Sequence, residues 1–238
     1  MKQEVMISAL LAHFIGDFVF QTNKIAAMKG KSVKGVGYHC VWIFIAYLLM
    51  MLPFGKKVLF LMTISSTIIH FGIDLLKLKL GKLKYPTGYF FVDQGLHIIS
   101  IYLTASLSCT YVVKNRFMAL TPRMEISIIM LIICTYVSTI LIKQLYFSFG
   151  KLSFAKNPFF ERWERPLDAV FCLGLIGGWY SKNILGYLFI LMWTIIYFKA
   201  HQKILTYDKQ LLVIKGIFYL LFVSGVYGLF QWGISFIN

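Results

Sequence analysis

VLFLMTISSTIIHFGIDLLKLKLGKLK, residues 58–84, decides how the chain is read. From Val58 to Leu76 it is apolar over close to the length, about 20 residues, that a helix needs to cross bilayer hydrocarbon. It then gives way to Lys77, Lys79, Lys82 and Lys84. An apolar run closed by a basic loop is the pattern of a helical membrane protein. Two residues inside the run do not suit hydrocarbon. His70 and Asp74 are four apart and therefore project one turn apart from a single helix face.

The rest of the chain repeats the pattern. Of 238 residues, 59% are hydrophobic, 17% aromatic and only 14% charged, which excludes an ordinary soluble domain. Apolar runs lie near 5–21, 37–53, 58–76, 88–113, 124–147, 167–181, 184–198 and 211–236. The predicted fold is all-α and polytopic, with about eight transmembrane helices (six to eight, because the first, sixth and seventh runs are short and any could be re-entrant). Its N-terminal four helices should form a polar-cored bundle. We expect one membrane domain: a transmembrane bundle over 1–147, a polar connection over 148–166 and C-terminal helices over 167–238. The first run carries His13 and Asp17 with no small-residue cleavage site after it, so it is expected to stay.

Twenty-four Lys and Arg against nine Asp and Glu give a formal charge of +15. The basic residues sit in short gaps between apolar runs, where they meet lipid headgroups, so no nucleic-acid partner is expected. Loops after the first, third, fifth and seventh runs hold sixteen of them, and the opposite side seven. The positive-inside rule then places those loops in the cytoplasm of a bacterial inner membrane, with the termini outside. Cys40, Cys109, Cys134 and Cys172 stand singly in apolar runs and read as buried thiols, without metal-knuckle or disulfide spacing. Gly174 and Gly178 form a GxxxG that reads as close helix packing.

The acids carry the functional information. His13 with Asp17, His70 with Asp74, and Asp93 with His97 are three i,i+4 pairs, and His39, Gln21 and Gln94 accompany them. Each lies at the end of its run beside one of the same two basic loops, within about 15 Å of one membrane face at the helical rise per residue. Carboxylates in hydrocarbon need compensation from protonation, His⁺, water or a bound cation. Three carboxylates with four imidazoles are also the ligand set of Zn, Mn or Fe sites. The candidate metal ligands are His13, Asp17, His39, His70, Asp74, Asp93 and His97. Asp17, Asp74 and Asp93 are the candidate catalytic carboxylates, Gln21 and Gln94 orient ligands, and Lys29, Lys31, Lys34 and Lys77 are placed to meet headgroup phosphate. The competing structural reading is that the same residues are interhelical hydrogen-bond glue.

These residues resemble a known family. LLAHFIGDFVFQTNKIAAMKGKS at 10–32, the following His39, HFGIDLLKLKL at 70–80 and FVDQGLHIIS at 91–100 are similar to the bacterial and phage membrane proteins grouped as domain of unknown function 3307. The family's HxxGDFxxQ, HxxxD and DQxxH stretches correspond to His13 to Gln21, His70 to Asp74 and Asp93 to His97. Glu164 and Arg165 resemble a later Glu-Arg pair of longer members, but Pro166 comes directly after it here. The resemblance implies membership and origin, not an activity.

Three functions stay open on these residues. A metal-dependent hydrolase at the membrane surface would use a metal-activated water on a lipid phosphoester or acyl group. A small cation or proton transporter would use the same pairs in transit. A non-enzymatic membrane or envelope interaction protein would need the cluster only to hold helices together. The oligomeric state is left open.

Overall fold

A computed structural model describes residues 2–81, 86–111, 120–141, 144, 169–178, 184–205 and 209–235. The 148–166 connection, with Glu164 and Arg165, lies outside the described residues. Every regular element among those described is helical. Two compact units divide the chain, Met1–Ile129 and Met130–Asn238.

In the first unit, α1 (Lys2–Phe14) runs into a π-helical turn, Ile15–Val19, which the Phe20 amide closes by donating to the Ile15 carbonyl at 2.9 Å. Thr22 then caps α2 (Asn23–Lys29), its hydroxyl accepting from the Ile25 amide, and the chain turns through 94°. Ser32 caps α3 (Val33–Met51) by accepting from the Gly35 amide at 3.1 Å. A side chain at Gly35 would collide with the Met28 carbonyl, so glycine is what lets the α2–α3 corner close. A short 3₁₀ turn with Pro53 leads to Gly55 at φ 89°, a left-handed position that starts α4 (Lys56–Leu80). Next come α5 (Pro86–Ser108) and α6 (Pro122–Ile132), both opening on a proline that needs no donor there.

α1 packs on α3 and α5, α3 on α4, and α4 on α5, so the four close into a bundle, while α2 lies against α3. Small residues permit the close approach of α1: Ala9 and Ala12 meet Ile43, Ala46 and Tyr47 of α3 in a core that also takes in Val58, Met62, Ile101 and Ala105. The outside is as apolar as the inside is polar. Phe60, Ile68, Leu76, Phe91, Val92, Ile99, Leu103 and Leu107 are exposed, whereas His70, Asp74, Asp93, His97, Thr63 and Thr104 are buried. An apolar exterior over buried polar side chains is compatible with a lipid surrounding.

Among the described residues, four helices are long and apolar enough to cross a membrane: Val33–Phe54, Lys56–Leu80, Thr87–Ser108 and Pro122–Leu141. The bent pair Lys2–Val19 with Asn23–Lys29 makes a fifth if it counts as one span. Of the eight apolar runs, those further along occur among the described residues as shorter apolar helices, Ala169–Gly178, Ile184–Tyr197 and Lys215–Leu229.

The second unit contains α7 (Ala169–Gly178), α8 (Ile184–Leu205) and α9 (Lys209–Ser235). Its core joins Cys134, Phe171, Cys172, Leu175, Tyr197, Tyr219 and Val223, with the Phe171 and Tyr197 rings stacked at 4.0 Å. The two glycines of the GxxxG do pack closely: a Cβ on Gly174 would run into the Trp193 indole, and one on Gly178 into Ile190 of α8. Cys40, Cys134 and Cys172 are buried.

Candidate metal centre

The bundle brings the polar residues to one end. α1 reaches that end with His13 and its π-helical turn with Asp17; α3 starts there with His39. α4 ends there with His70 and Asp74, and α5 starts there with Asp93, Gln94 and His97. Alternating chain direction is why the i,i+4 pairs of different helices meet. All seven histidine and aspartate side chains named from the sequence are buried, none more than 5% exposed.

Four ligand atoms converge most tightly. Asp17 Oδ1 lies 3.1 Å from His39 Nε2, which lies 3.1 Å from His70 Nε2, which lies 3.2 Å from Asp74 Oδ2. His39 Nε2 to Asp74 Oδ2 is 3.7 Å, and Asp17 Oδ1 to His70 Nε2 is 4.0 Å. Ligands on one tetrahedral cation, at bond lengths of about 2.0–2.2 Å, stand about 3.3–3.6 Å apart. The five distances bracket that edge. Beside these four, His97 Nε2 lies 3.7 Å from Asp93 Oδ1 and 3.9 Å from Asp74 Oδ1. The His70 and His97 rings stack at 4.1 Å, and the His13 ring is 5.0 Å from that of His97.

Gln94 ties the pairs together. Its Nε2 donates to Asp17 Oδ2 at 3.1 Å and approaches Asp93 Oδ2 at 3.4 Å, while its Oε1 is 3.3 Å from His13 Nε2. Gln21 is half-buried with its Oε1 lacking a hydrogen-bond partner among the described residues. Its place in the sequence motif is therefore not matched by a contact to the cluster of the kind Gln94 makes.

The lysines divide. Lys31 and Lys34 are exposed, on the rim. Lys29 points inward from α2, with Nζ 2.8 Å from Asp74 Oδ2 and 3.3 Å from Asp17 Oδ1. Lys77 pairs with Asp93 Oδ2 at 2.5 Å and lies over the Tyr89 ring. Neither is simply a loop cation facing headgroups, as the sequence alone suggests; nothing in the spacing of Lys29 shows that a 94° turn carries it back over Asp17. A second buried polar contact has no signal in the sequence at all: Ser8 Oγ donates to Glu125 Oε1 at 2.6 Å across 117 residues.

Hydrogen bonds leave part of the cluster unmet. Although the Lys29 ammonium pairs with Oδ2, among the described residues neither oxygen of Asp74 is in hydrogen-bonding geometry with a donor, and His97 Nε2, His13 Nδ1 and His39 Nδ1 have no hydrogen-bond partner either. Buried polar atoms without partners are costly. Here several face one another at ligand spacing. Three overlapping sets could hold an ion: His13, His70 and His97; Asp17, His39 and His70; and Asp74, Asp93 and His97.

A family model described as "Protein of unknown function (DUF3307)" matches residues 5–127, just over half the chain and every residue of the cluster. No curated protein and no solved structure matches it.

Proposed function

Because the chain belongs to this DUF3307 family, whose description assigns no activity, its role must be argued from the site, and we propose a divalent-metal centre that hydrolyses a lipid-like phosphoester or acyl substrate at the membrane surface. The observation that carries this reading is the meeting of Asp17 Oδ1, His39 Nε2 and His70 Nε2 at ligand spacing, with Asp74 Oδ2 3.2 Å from His70 Nε2. Mixed imidazole and carboxylate donors suit Zn, Mn or Fe. Such an ion supplies Lewis acidity and a water ionised near neutral pH.

The chain's own residues do the rest. Asp17 and Asp74 bring the negative charge that holds a cation where the bilayer would otherwise exclude it. Gln94 fixes Asp17 and His13 from behind, and outer partners of this kind set ligand orientation. A carboxylate left off the metal accepts the proton of the attacking water. Lys31 and Lys34 at the rim attract an anionic headgroup, and the basic loops they belong to face the cytoplasm of a bacterial inner membrane.

A second reading, cation or proton passage, is favoured by one observation. Below the cluster, α4 continues with buried Ser66 and Thr63, and α5 with buried Thr104 and Ser108, so the polar stripe extends along the bundle. Metal analysis of the detergent-purified full chain tests the first reading. Near-stoichiometric Zn, Mn or Fe that disappears in folded His70→Ala and Asp74→Ala proteins supports it; metal far below one ion per chain, with none taken up on titration, would overturn it. A liposome flux abolished by Asp93→Asn in a metal-free protein would establish the second.

A further inference from the structure

We propose that the centre holds two cations bridged by Asp74. This rests on the metal reading above and specifies its nuclearity. The first cation takes the Asp17, His39, His70 and Asp74 Oδ2 set; the second takes Asp74 Oδ1, Asp93 Oδ1 and His97 Nε2.

The two sets converge on opposite oxygens of one carboxylate. His39 and His70 approach Asp74 Oδ2, at 3.7 and 3.2 Å, whereas His97 approaches Oδ1, at 3.9 Å. With one oxygen of Asp74 given to each group, each of two ions can keep bonds of about 2 Å to its own imidazoles. A carboxylate using one oxygen for each of two ions holds them at the separation of about 3.5–4 Å typical of two-metal hydrolases.

The second set also bears the marks of an incomplete coordination shell. His97 is 1% exposed and its Nε2 has no hydrogen-bond partner among the described residues, although Asp93 Oδ1 stands 3.7 Å away. That gap is too long for a hydrogen bond and close to the edge of a shared coordination shell. Asp74 Oδ1 is likewise without a hydrogen bond from the described residues. His13, whose ring lies 5.0 Å from His97, is the neighbour placed to supply a further nitrogen.

Each set already has a positive charge beside it, the Lys29 ammonium on the first and the Lys77 ammonium on the second. Three carboxylates against these two ammoniums sum to one negative charge. Two dications turn that into a positive excess. A bridging hydroxide and a dianionic phosphomonoester would balance it, and a monoanionic phosphodiester would leave a single positive charge, so the two-ion centre favours phosphoesters over uncharged acyl esters as substrates.

Manganese titration of the metal-stripped full chain in detergent, followed by elemental analysis and electron paramagnetic resonance, tests this. The wild type is expected to bind two Mn²⁺ per chain with an exchange-coupled spectrum. His97→Ala and Asp93→Asn should retain one ion with an uncoupled spectrum, and Asp74→Asn should lose the coupling. His97→Gln, which keeps a polar side chain, provides the same readout if the alanine variant fails to fold. A wild type that saturates at one uncoupled Mn²⁺ overturns the second cation and leaves the metal reading standing. A wild type that binds none overturns both.

Discussion

Gly16 rests directly against Ile43: a Cβ added to it would stand 2.7 Å from Ile43 Cδ1 and 3.1 Å from the Ile43 Cα. The next residue, Asp17, reaches His39 one turn earlier on the same helix. Helix approach and ligand geometry are thus one constraint. Gly16→Ala is expected to push α1 from α3, destabilise the protein by about 1–3 kcal/mol, and lower bound metal. Thermal unfolding in detergent with parallel metal analysis checks both, and an unchanged melting temperature with full metal would sink the idea.

Lys29→Met should move two observables in opposite directions. The ammonium sits on Asp17 and Asp74, the carboxylates proposed to hold the first cation. Without it, metal affinity should rise by about tenfold or more, worth about 1.4 kcal/mol, because a competing like charge is gone. The metal-free protein should melt lower, having lost its internal counter-ion. Calorimetric titration and melting curves of the stripped protein measure these; weaker metal binding would show that Lys29 supports the site.

Gln94→Leu removes the amide that joins His13, Asp17 and Asp93. Loss of an outer-shell partner typically costs 10–100-fold in metal affinity, so a drop of about that size is expected with the fold intact. Zinc competition against a coloured chelator gives the number. An affinity within about twofold of wild type would make the amide incidental.

Ser8→Ala tests a contact away from the centre. Ser8 Oγ donates to buried Glu125 at 2.6 Å, and its removal should cost about 1–3 kcal/mol of stability. Metal content should not change. A variant that keeps its melting temperature but loses metal would connect the two ends of the bundle in a way the distances do not.

Gly174→Leu addresses the second unit alone. The new side chain meets the Trp193 indole, whose Nε1 donates to the Val170 carbonyl at 3.3 Å. Loss of that packing should lower stability by about 1–3 kcal/mol and alter near-ultraviolet circular dichroism, with the cluster's metal uptake retained.

Much of the site is legible in the sequence because its information is local. Each His/Asp pair is set by helix periodicity, and alternating chain direction takes the four helix ends to one level. Gly174 and Gly178 are legible for the same reason. Lys29 is not, because its position depends on a corner built by Thr22, Ser32 and Gly35, and a basic residue after an apolar run reads as a loop cation. Gln21 and Gln94 look equivalent beside their aspartates; only packing distinguishes the one that bridges three side chains from the one that does not. Ser8 and Glu125 meet only through the tertiary fold, 117 residues apart in the sequence.

The π-helical turn at Ile15–Val19 exposes the centre to a mutation that touches no ligand. Such a turn holds one surplus residue relative to an α-helix. Loss of the Ile15 codon would let the ordinary helix close up, leaving the residues past the turn in phase with α1 but re-aiming the turn's own residues, Gly16 and Asp17. Asp17 and Gly16 would leave His39 and Ile43 together. An in-frame deletion could therefore silence the protein while every histidine and aspartate of the cluster remained encoded.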